Sequence, residues 1–268
     1  MSVSVQQCRQ CSGSGLFFDP QIQAGQYGTL KLCGCIKENC RCGGRKPYQY
    51  WDEESRRQWC SCRPARLRLI QTQKNFKQAE LPARYRWKFI DDFKAQTPDG
   101  IAIPIAEEAV HIVTSTMDRA DEPERGFLLH SKPGTGKTLL GCIVLNELML
   151  HRKRPGRFLN SPKFFQQLRD TYSEDSDQYG RTWQMIDALC KVPYLVLDDF
   201  GVQRGTDWEL EMSYNLIDAR YSEKRFTIVT TNQPMEDLEK VHMGRIYSRL
   251  REMCFFIHMD GVDYRQHL

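Results

Sequence analysis

Hydrophobic positions along this chain fall into two regimes, sparse and interrupted by cysteines up to about residue 62 and grouped into apolar runs and helical stripes from about residue 105 onward. Phe127 to His130, Arg157 to Asn160, Pro193 to Asp198, Phe226 to Thr231 and Cys254 to Met259 read as short buried strands, because a strand covered on both faces needs a nearly continuous apolar or β-branched run. Between them lie helical stretches. Ile105 to Met117 places Ala106, Ala109, Val110, Val113 and Met117 at helical spacing, as a core-facing helix would. Leu139 to Leu150 is a largely apolar helix, and Arg152-Lys-Arg-Pro-Gly156 ends it with cations at the negative end of its dipole. Ser161-Pro162 starts a helix over Lys163 to Tyr172, Ser173 to Gly180 is an acidic loop, and Gly244 to Arg251 is rich in arginine. This alternation predicts an α/β domain with a parallel five-stranded sheet between helices.

Ahead of that domain, Arg63 to Lys77 reads as a basic helix whose apolar content is Leu67, Leu69 and Ile70, either a solvated linker or a contact for nucleic acid or a partner. Pro82 in Leu81-Pro-Ala-Arg-Tyr-Arg86 breaks it, which puts a boundary near residue 80. The expected organisation is a cysteine-rich module over 1–80 and a second domain over 81–268. A length of 268 residues accommodates both. No apolar run reaches the ~20 residues of a membrane span, and Met1 to Gln10 lacks a signal-peptide core, so a soluble cytoplasmic protein with no membrane partner is expected.

Eight of the eleven cysteines precede residue 63, which argues for metal rather than disulfides. Cys8 and Cys11 form a C-x2-C knuckle, followed by the C-x-C pairs Cys33/Cys35, Cys40/Cys42 and Cys60/Cys62. Eight thiols in four pairs suit two tetrahedral zinc sites, and metal binding would supply the folding energy of a segment with so few apolar residues. The favoured pairing puts Cys8, Cys11, Cys60 and Cys62 around one ion while Cys33 to Cys42 closes on a second; sequential pairing is the alternative, and an iron–sulfur cluster or free thiols remain open. Metal also changes the charge picture. Residues 1–80 carry 13 Lys+Arg against 6 Asp+Glu, a surplus of 7, but two Zn2+ on eight thiolates would cut it to 3, so basic character alone does not imply nucleic acid.

The chemical landmark is Phe127-Leu-Leu-His-Ser-Lys-Pro-Gly-Thr-Gly-Lys-Thr-Leu-Leu140, which reads as strand, phosphate loop and helix. Backbone N–H groups at a glycine turn and a helix start converge on phosphate, so Pro133, Gly134, Thr135, Gly136, Lys137, Thr138 and Leu139 are the candidate cofactor-binding residues. Lys137 would reach the β- and γ-oxygens of ATP, and Thr138 would hold Mg2+. Ser131 stands where the first glycine of the motif is expected, which is tolerable only if that position needs no positive φ. The run Leu195-Val-Leu-Asp-Asp199 delivers two carboxylates to a strand end: Asp198 as the second Mg2+ ligand, Asp199 to polarise the attacking water, although Asp is shorter than the usual Glu. Asn232, with Thr231 as the second choice, would bond the γ-phosphate or its water. One arginine of the Gly244 to Arg251 stretch could serve as an arginine finger.

These motifs, in this order, give the chain a resemblance to the AAA+ ATPases of the DnaC/DnaI helicase-loader and IstB group over roughly residues 75 to 268. The pieces that carry it are His130-Ser-Lys-Pro-Gly-Thr-Gly-Lys-Thr138, Leu195 to Gly201, Ala219-Arg220-Tyr221, Thr230-Thr-Asn232, Ser248-Arg249-Leu250 and the lead-in Leu81 to Arg86. The resemblance implies that Arg249 is a finger given in trans to a neighbour's ATP, Asn232 a first sensor, Arg265 a second sensor and Arg220 a further interface arginine. It implies self-association through an ATP-bridged interface. Cysteine-rich modules occur ahead of DnaI-like loaders, so the implied partners are the replicative DNA helicase and single-stranded DNA. An IstB-like transposition ATPase and a non-hydrolysing adaptor switched by ATP are the alternatives.

Overall fold

The structure is a computed structural model that describes residues 8–11, 13–19, 29–94, 100, 104–118, 123–172, 175, 177, 179–201, 206–240, 244–259, 261 and 263. The chain divides into two compact units, Met1–Lys77 and Gln78–Leu268. Among the described residues no helix is long and apolar enough to cross a membrane.

The first unit is built on two antiparallel hairpins. Strand β1 (Leu16–Asp19) pairs with β2 (Thr29–Leu32), helix α1 (Gly34–Glu38) follows, β3 (Gln49–Trp51) pairs with β4 (Arg57–Trp59), and α2 (Arg63–Gln78) leaves the second hairpin. Its core is made largely of sulfur: Cys11, Cys33, Cys35, Cys60 and Cys62 are buried beside Leu32, Ile36, Tyr48 and Ala65. The apolar residues of the basic helix α2 do not share one environment. Leu67 and Ile70 are exposed, Leu69 packs on the cysteine core, and Ala65, Thr72, Asn75 and Phe76 are buried.

In the second unit the elements run α3 (Pro104–Asp118), β5 (Gly126–His130), α4 (Lys137–Arg152), β6 (Gly156–Asn160), α5 (Ser161–Asp170), α6 (Thr182–Lys191), β7 (Tyr194–Asp198), α7 (Asp207–Ser222), β8 (Thr227–Thr231), α8 (Met235–Leu238), α9 (Arg245–Met253) and β9 (Cys254–His258). The five strands form one all-parallel sheet in the order β6-β7-β8-β5-β9. That order puts β8 between the strand that ends in Asp198 and the strand that opens the phosphate loop, and the C-terminal edge of such a sheet is where ligands bind. Leu128, Leu195, Val196 and Val229 are fully covered, and each buried side chain of this size stabilises by about 1.5–3 kcal/mol.

Some helices depart from their expected faces. On α3, Ala109, Val113 and Thr116 are buried, while Val110, a third of a turn round from Ala109, is 42% exposed; the placement of the Ala106 side chain lies outside the described residues. Helix α5 is capped by Asn160, whose Oδ1 accepts from the Lys163 N–H, rather than by Ser161. Before α3, the lead-in Ala83–Tyr85 and Ile90–Asp92 form single 3-10 turns that lie on α4: Asn146 Nδ2 donates to the carbonyls of Tyr85 (3.0 Å) and Lys88 (2.8 Å), and the Ile90 N–H donates to Glu147 Oε1 (3.1 Å). These bonds engage the Asn146 amide nitrogen and the Glu147 carboxylate, two polar side chains buried in an otherwise apolar helix, and leave Asn146 Oδ1 without a partner among the described residues.

Candidate nucleotide site and cysteine clusters

The phosphate loop follows β5 at the C-terminal edge of the sheet. Gly134 and Gly136 sit at φ 92° and 91°, a left-handed backbone that glycine adopts without strain. A side chain at Gly134 would be strained at this φ, and its Cβ, 2.1 Å from Asp263 Oδ1, would force that carboxylate aside. Ser131 is not among the positive-φ residues, so serine fits where the motif has glycine. Its hydroxyl lies 2.5 Å from Thr135 Oγ1 and 3.1 Å from Lys137 Nζ, tying the loop across its width. The Lys137 ammonium also donates to the carbonyls of Ser131 (3.0 Å) and Lys132 (2.6 Å) and is 5% exposed.

Strands β7 and β8 bring the acids to the loop. Asp198 Oδ1 accepts from Thr138 Oγ1 and from Thr230 Oγ1, each at 2.7 Å, which links α4, β7 and β8 through one carboxylate. Burial raises the Asp198 pKa and the two threonine hydroxyls oppose that shift by stabilising the anion. Asp199 takes a left-handed conformation (φ 54°), which aspartate tolerates better than most residues. Its N–H donates to Thr230 Oγ1 (3.1 Å), and its two carboxylate oxygens accept from Asn232 Nδ2 and Asn160 Nδ2, both at 3.3 Å. Thr231, the second choice for the sensor position, instead donates to the Phe200 carbonyl and is fully buried.

A cleft of about 1060 Å3 gathers most of these groups: Pro133, Gly134, Gly136, Lys137, Thr138, Leu139, Asp198, Asp199 and Asn232 all line it. Thr135 is buried inside the loop and does not line the cleft. Part of the wall is not assigned from the motifs, namely Pro82, Arg84, Tyr85 and Lys88 of the lead-in and Phe158, Asn160, Lys163 and Phe164 of the β6 to α5 corner. The Leu81-Pro-Ala-Arg-Tyr-Arg86 run is the sequence signal for the first group; its place at the cleft depends on docking against α4, far away in sequence.

Three arginines were candidates. Arg249 on α9 does not line the cleft; it pairs through Nε with Asp218, donates to Tyr214 Oη (2.8 Å) and lies over the Tyr214 ring. Arg265 lies outside the described residues. Arg220 corrects the expectation of an interface arginine, because it is 0% exposed. From α7 its guanidinium donates to the carbonyls of Leu189 (2.6 Å), Val192 (2.8 Å), Pro193 (3.4 Å) and Phe226 (2.7 Å) and to Thr227 Oγ1 (2.9 Å). These partners lie in the last turn of α6 and at the starts of β7 and β8. The group therefore sits at the N-terminal edge of the sheet, a strand length of ~17 Å from the phosphate loop. Burial lowers its pKa to about 9, which leaves it charged at neutral pH.

The cysteine clusters also correct an expectation. The favoured pairing is overturned: Cys8, Cys11, Cys33 and Cys35 form one group and Cys40, Cys42, Cys60 and Cys62 the other. The hairpins dictate this. Leu16 pairs with Leu32, so the Cys33 N–H reaches the Gly15 carbonyl (2.9 Å) and the first knuckle meets Cys33 and Cys35. Likewise Gln49 pairs with Trp59, and the Cys60 N–H reaches the Tyr48 carbonyl (2.9 Å). Four sulfurs at ~2.3 Å from one ion stand about 3.8 Å apart. The closest sulfur separations are 3.7 and 3.6 Å in the first group and 3.6, 3.5 and 3.5 Å in the second. Arg66 Nε lies 3.3 Å from Cys62 Sγ, placing a cation beside the second group.

Sheet order, phosphate loop and acidic strand end together define the class: a parallel α/β ATP-binding domain whose phosphate loop and acids share one cleft. The chain belongs to the IstB-like ATP binding protein family, which it matches over residues 116–267. It is 31% identical over 125 residues to the replicative helicase loader DnaC of Escherichia coli (strain K12), a match that covers 47% of this chain and 49% of DnaC. The chain thus spans about half the length of the curated relatives it matches. Among solved structures it is similar to the crystal structure of the DnaC helicase loader (TM-score 0.56, 22% identity, 67% of this chain and 100% of that one). It is also similar to that of DnaI (TM-score 0.55, 23% identity, 69% and 95%). These likenesses give the fold, which is of the AAA+ type.

Proposed function

We propose that this chain is an ATP-dependent DNA replication protein that loads or remodels the replicative helicase on single-stranded DNA, acting in the cytoplasm. The observation that carries the reading is the convergence of Lys137, Thr138, Asp198, Asp199 and Asn232 on one cleft, in a chain similar to DnaC and preceded by a separate two-cluster cysteine module. The donor sets suit the groups assigned to them. Two sets of four thiols at tetrahedral spacing fit Zn2+, and a hydroxyl with a carboxylate beside a phosphate loop fits Mg2+ bound to ATP.

In this reading Thr138 and Asp198 hold the magnesium ion, which when bound neutralises phosphate charge. Lys137 exchanges the carbonyls of Ser131 and Lys132 for phosphate oxygens. Asp199, oriented by Asn160 and Asn232, holds the attacking water, and Asn232 reports the γ-phosphate to the end of β8. Arg249 serves a neighbouring subunit's site, so the phosphate loop is one half of an ATP-bridged interface, with Arg265 as a second-sensor candidate. Hydrolysis is weak in the isolated chain and rises with DNA or a partner.

An ATPase assay with single-stranded DNA and the host's replicative helicase tests this. Stimulation by both, together with loss in Arg249→Ala, is the expected result. The family match favours one competitor, an IstB-like ATPase in DNA transposition, which a preference for duplex DNA and indifference to the helicase would select instead. Equal, near-zero rates in wild type and Arg249→Ala with ATP still bound would point to an adaptor that uses ATP only as a switch.

A further inference from the structure

The second hairpin of the cysteine module carries two tryptophans that its fold does not use. Register pairs Trp51 with Arg57 and Gln49 with Trp59, so these four side chains share one face, while Tyr50 and Gln58 take the other. Tyr50 packs on the cysteine core, which turns the Trp51 and Trp59 face outward. Trp51 is 65% exposed and Trp59 55%, although an indole is among the costliest side chains to leave in water. Trp51 and Trp59 are diagonal neighbours across the pair, ~7–8 Å apart, close to the spacing of successive bases in an extended strand.

Cations are interleaved with these rings. The Arg57 guanidinium lies 5.3 Å from the Trp51 ring centre, and that of Arg63 lies 4.1 Å from the Trp59 ring centre. On the opposite face, Arg41 lies 5.4 Å from the Tyr50 ring. Among the described residues no carboxylate forms an ion pair with Arg41, Arg57 or Arg63. The turn acids Asp52 and Glu54 are instead taken up by Arg56, and Asp52 also accepts from Gln58 Nε2 (3.1 Å). The face made by Gln49, Trp51, Arg57 and Trp59 therefore offers flat rings beside guanidinium groups that no carboxylate among the described residues neutralises.

We infer that this face is a stacking platform for unpaired bases, with Trp51 and Trp59 receiving the bases and Arg57 and Arg63 the phosphates of a single strand. Aromatic side chains on a cationic surface bind single strands with little sequence preference, because every base has a stacking face and only an unpaired one can present it. The assignment rests on the reading that the chain works on single-stranded DNA. It adds to that reading a site outside the ATP-binding unit and independent of nucleotide.

The test uses the full-length, zinc-loaded chain and a fluorescent thymidine homopolymer, read by anisotropy and by quenching of intrinsic tryptophan emission. Wild type should bind with quenching, and a duplex of the same length should compete poorly. Trp51→Ala and Trp59→Ala should each weaken binding by roughly 5- to 150-fold, the range spanned by base–aromatic stacking, while zinc content and ATP binding hold. Trp51→Phe and Trp59→Phe, which keep a stacking face, should recover much of the loss. Unchanged affinity in the Trp51→Ala/Trp59→Ala double variant overturns the platform but leaves the functional reading standing. No binding of single-stranded DNA by wild type overturns both. Loss of helicase capture with unchanged DNA affinity overturns the platform in favour of a protein-docking face.

Discussion

Arg220 offers the sharpest test of the packing argument, because the same residue was expected at a subunit interface. In the structure it is a buried cation solvated by the carbonyls of Leu189, Val192, Pro193 and Phe226, and among the described residues no carboxylate pairs with it. Replacing it with Met keeps most of the volume, excludes water and strips the guanidinium donor from the carbonyls of Leu189, Val192 and Pro193, while that of Phe226 still accepts from the Leu195 N–H (3.2 Å). Each orphaned carbonyl costs about 1–3 kcal/mol, against which the desolvation of the guanidinium, several kcal/mol, is no longer incurred. Three orphaned carbonyls outweigh that relief by a few kcal/mol, a large share of the ~5–15 kcal/mol that holds a domain together. Arg220→Ala should be milder, since a cavity lined by carbonyls can admit water, and Arg220→Lys milder still, since an ammonium brings three donors. Urea unfolding followed by circular dichroism measures the ranking. If Arg220→Met unfolds within about 1 kcal/mol of wild type, the clamp is not what joins α6, β7 and β8, and the argument from orphaned carbonyls fails.

Three further outcomes are expected. Ser substitution of Cys8 and Cys11 should halve the bound zinc and leave the second cluster loaded, as should substitution of Cys33 and Cys35, whereas a Cys8/Cys60 double substitution should damage both sites; metal analysis by mass spectrometry reads this out. Lys137→Ala and Arg249→Ala should each abolish turnover alone, yet their mixture should regain activity at ~1/4 of interfaces, because only a subunit that keeps Lys137 next to one that keeps Arg249 forms a whole site. No recovery in mixed assemblies would count against a finger given in trans. The third outcome concerns pH. Burial, His258 and Lys137 hold the His130 pKa below its ordinary value, so the unfolded chain binds the proton more readily and stability falls as the pH drops below ~6.5. His151, held up by Glu147, acts in the opposite sense, so the readout is the difference between wild type and His130→Asn in melting temperature at each pH.

The ATP-binding unit was legible because its central strands β5, β7 and β8 are buried on both faces and end in the residues that do chemistry. Apolar runs closing on Ser131, Asp198 and Asn232 reveal both the sheet and the edge that matters. Helices α6 and α7 left no such trace. On α7 the buried positions Glu209, Met212, Ser213, Leu216, Ile217 and Arg220 mix polar with apolar side chains, so no stripe stands out. Its start was nevertheless written in the sequence: Thr206 and Glu209 form a reciprocal capping box, with Glu209 N–H to Thr206 Oγ1 at 3.3 Å and Thr206 N–H to Glu209 Oε2 at 3.1 Å. Cysteine spacing shows which sulfurs are neighbours along the chain. It does not show which meet through space, because that depends on the registers of two hairpins whose strands are only four and three residues long. Arg220 was misassigned for a similar reason, since a short motif on a helix does not say which edge of the sheet its side chain reaches.

The two cysteine groups have a consequence for how the first unit comes apart. Each sits at the mouth of its own hairpin, and only the four residues Ile36 to Asn39, the rest of helix Gly34–Glu38 and its cap, separate Cys35 of the first from Cys40 of the second. Cysteines of both groups share one buried core, yet each group would close its own loop of chain, so with zinc bound the loss of one ion would slacken one loop and leave the other tied. Oxidants or chelators should therefore erode it in two discrete steps. Loss at Cys40, Cys42, Cys60 and Cys62 frees the hairpin that bears Trp51 and Trp59, while loss at Cys8, Cys11, Cys33 and Cys35 spares it.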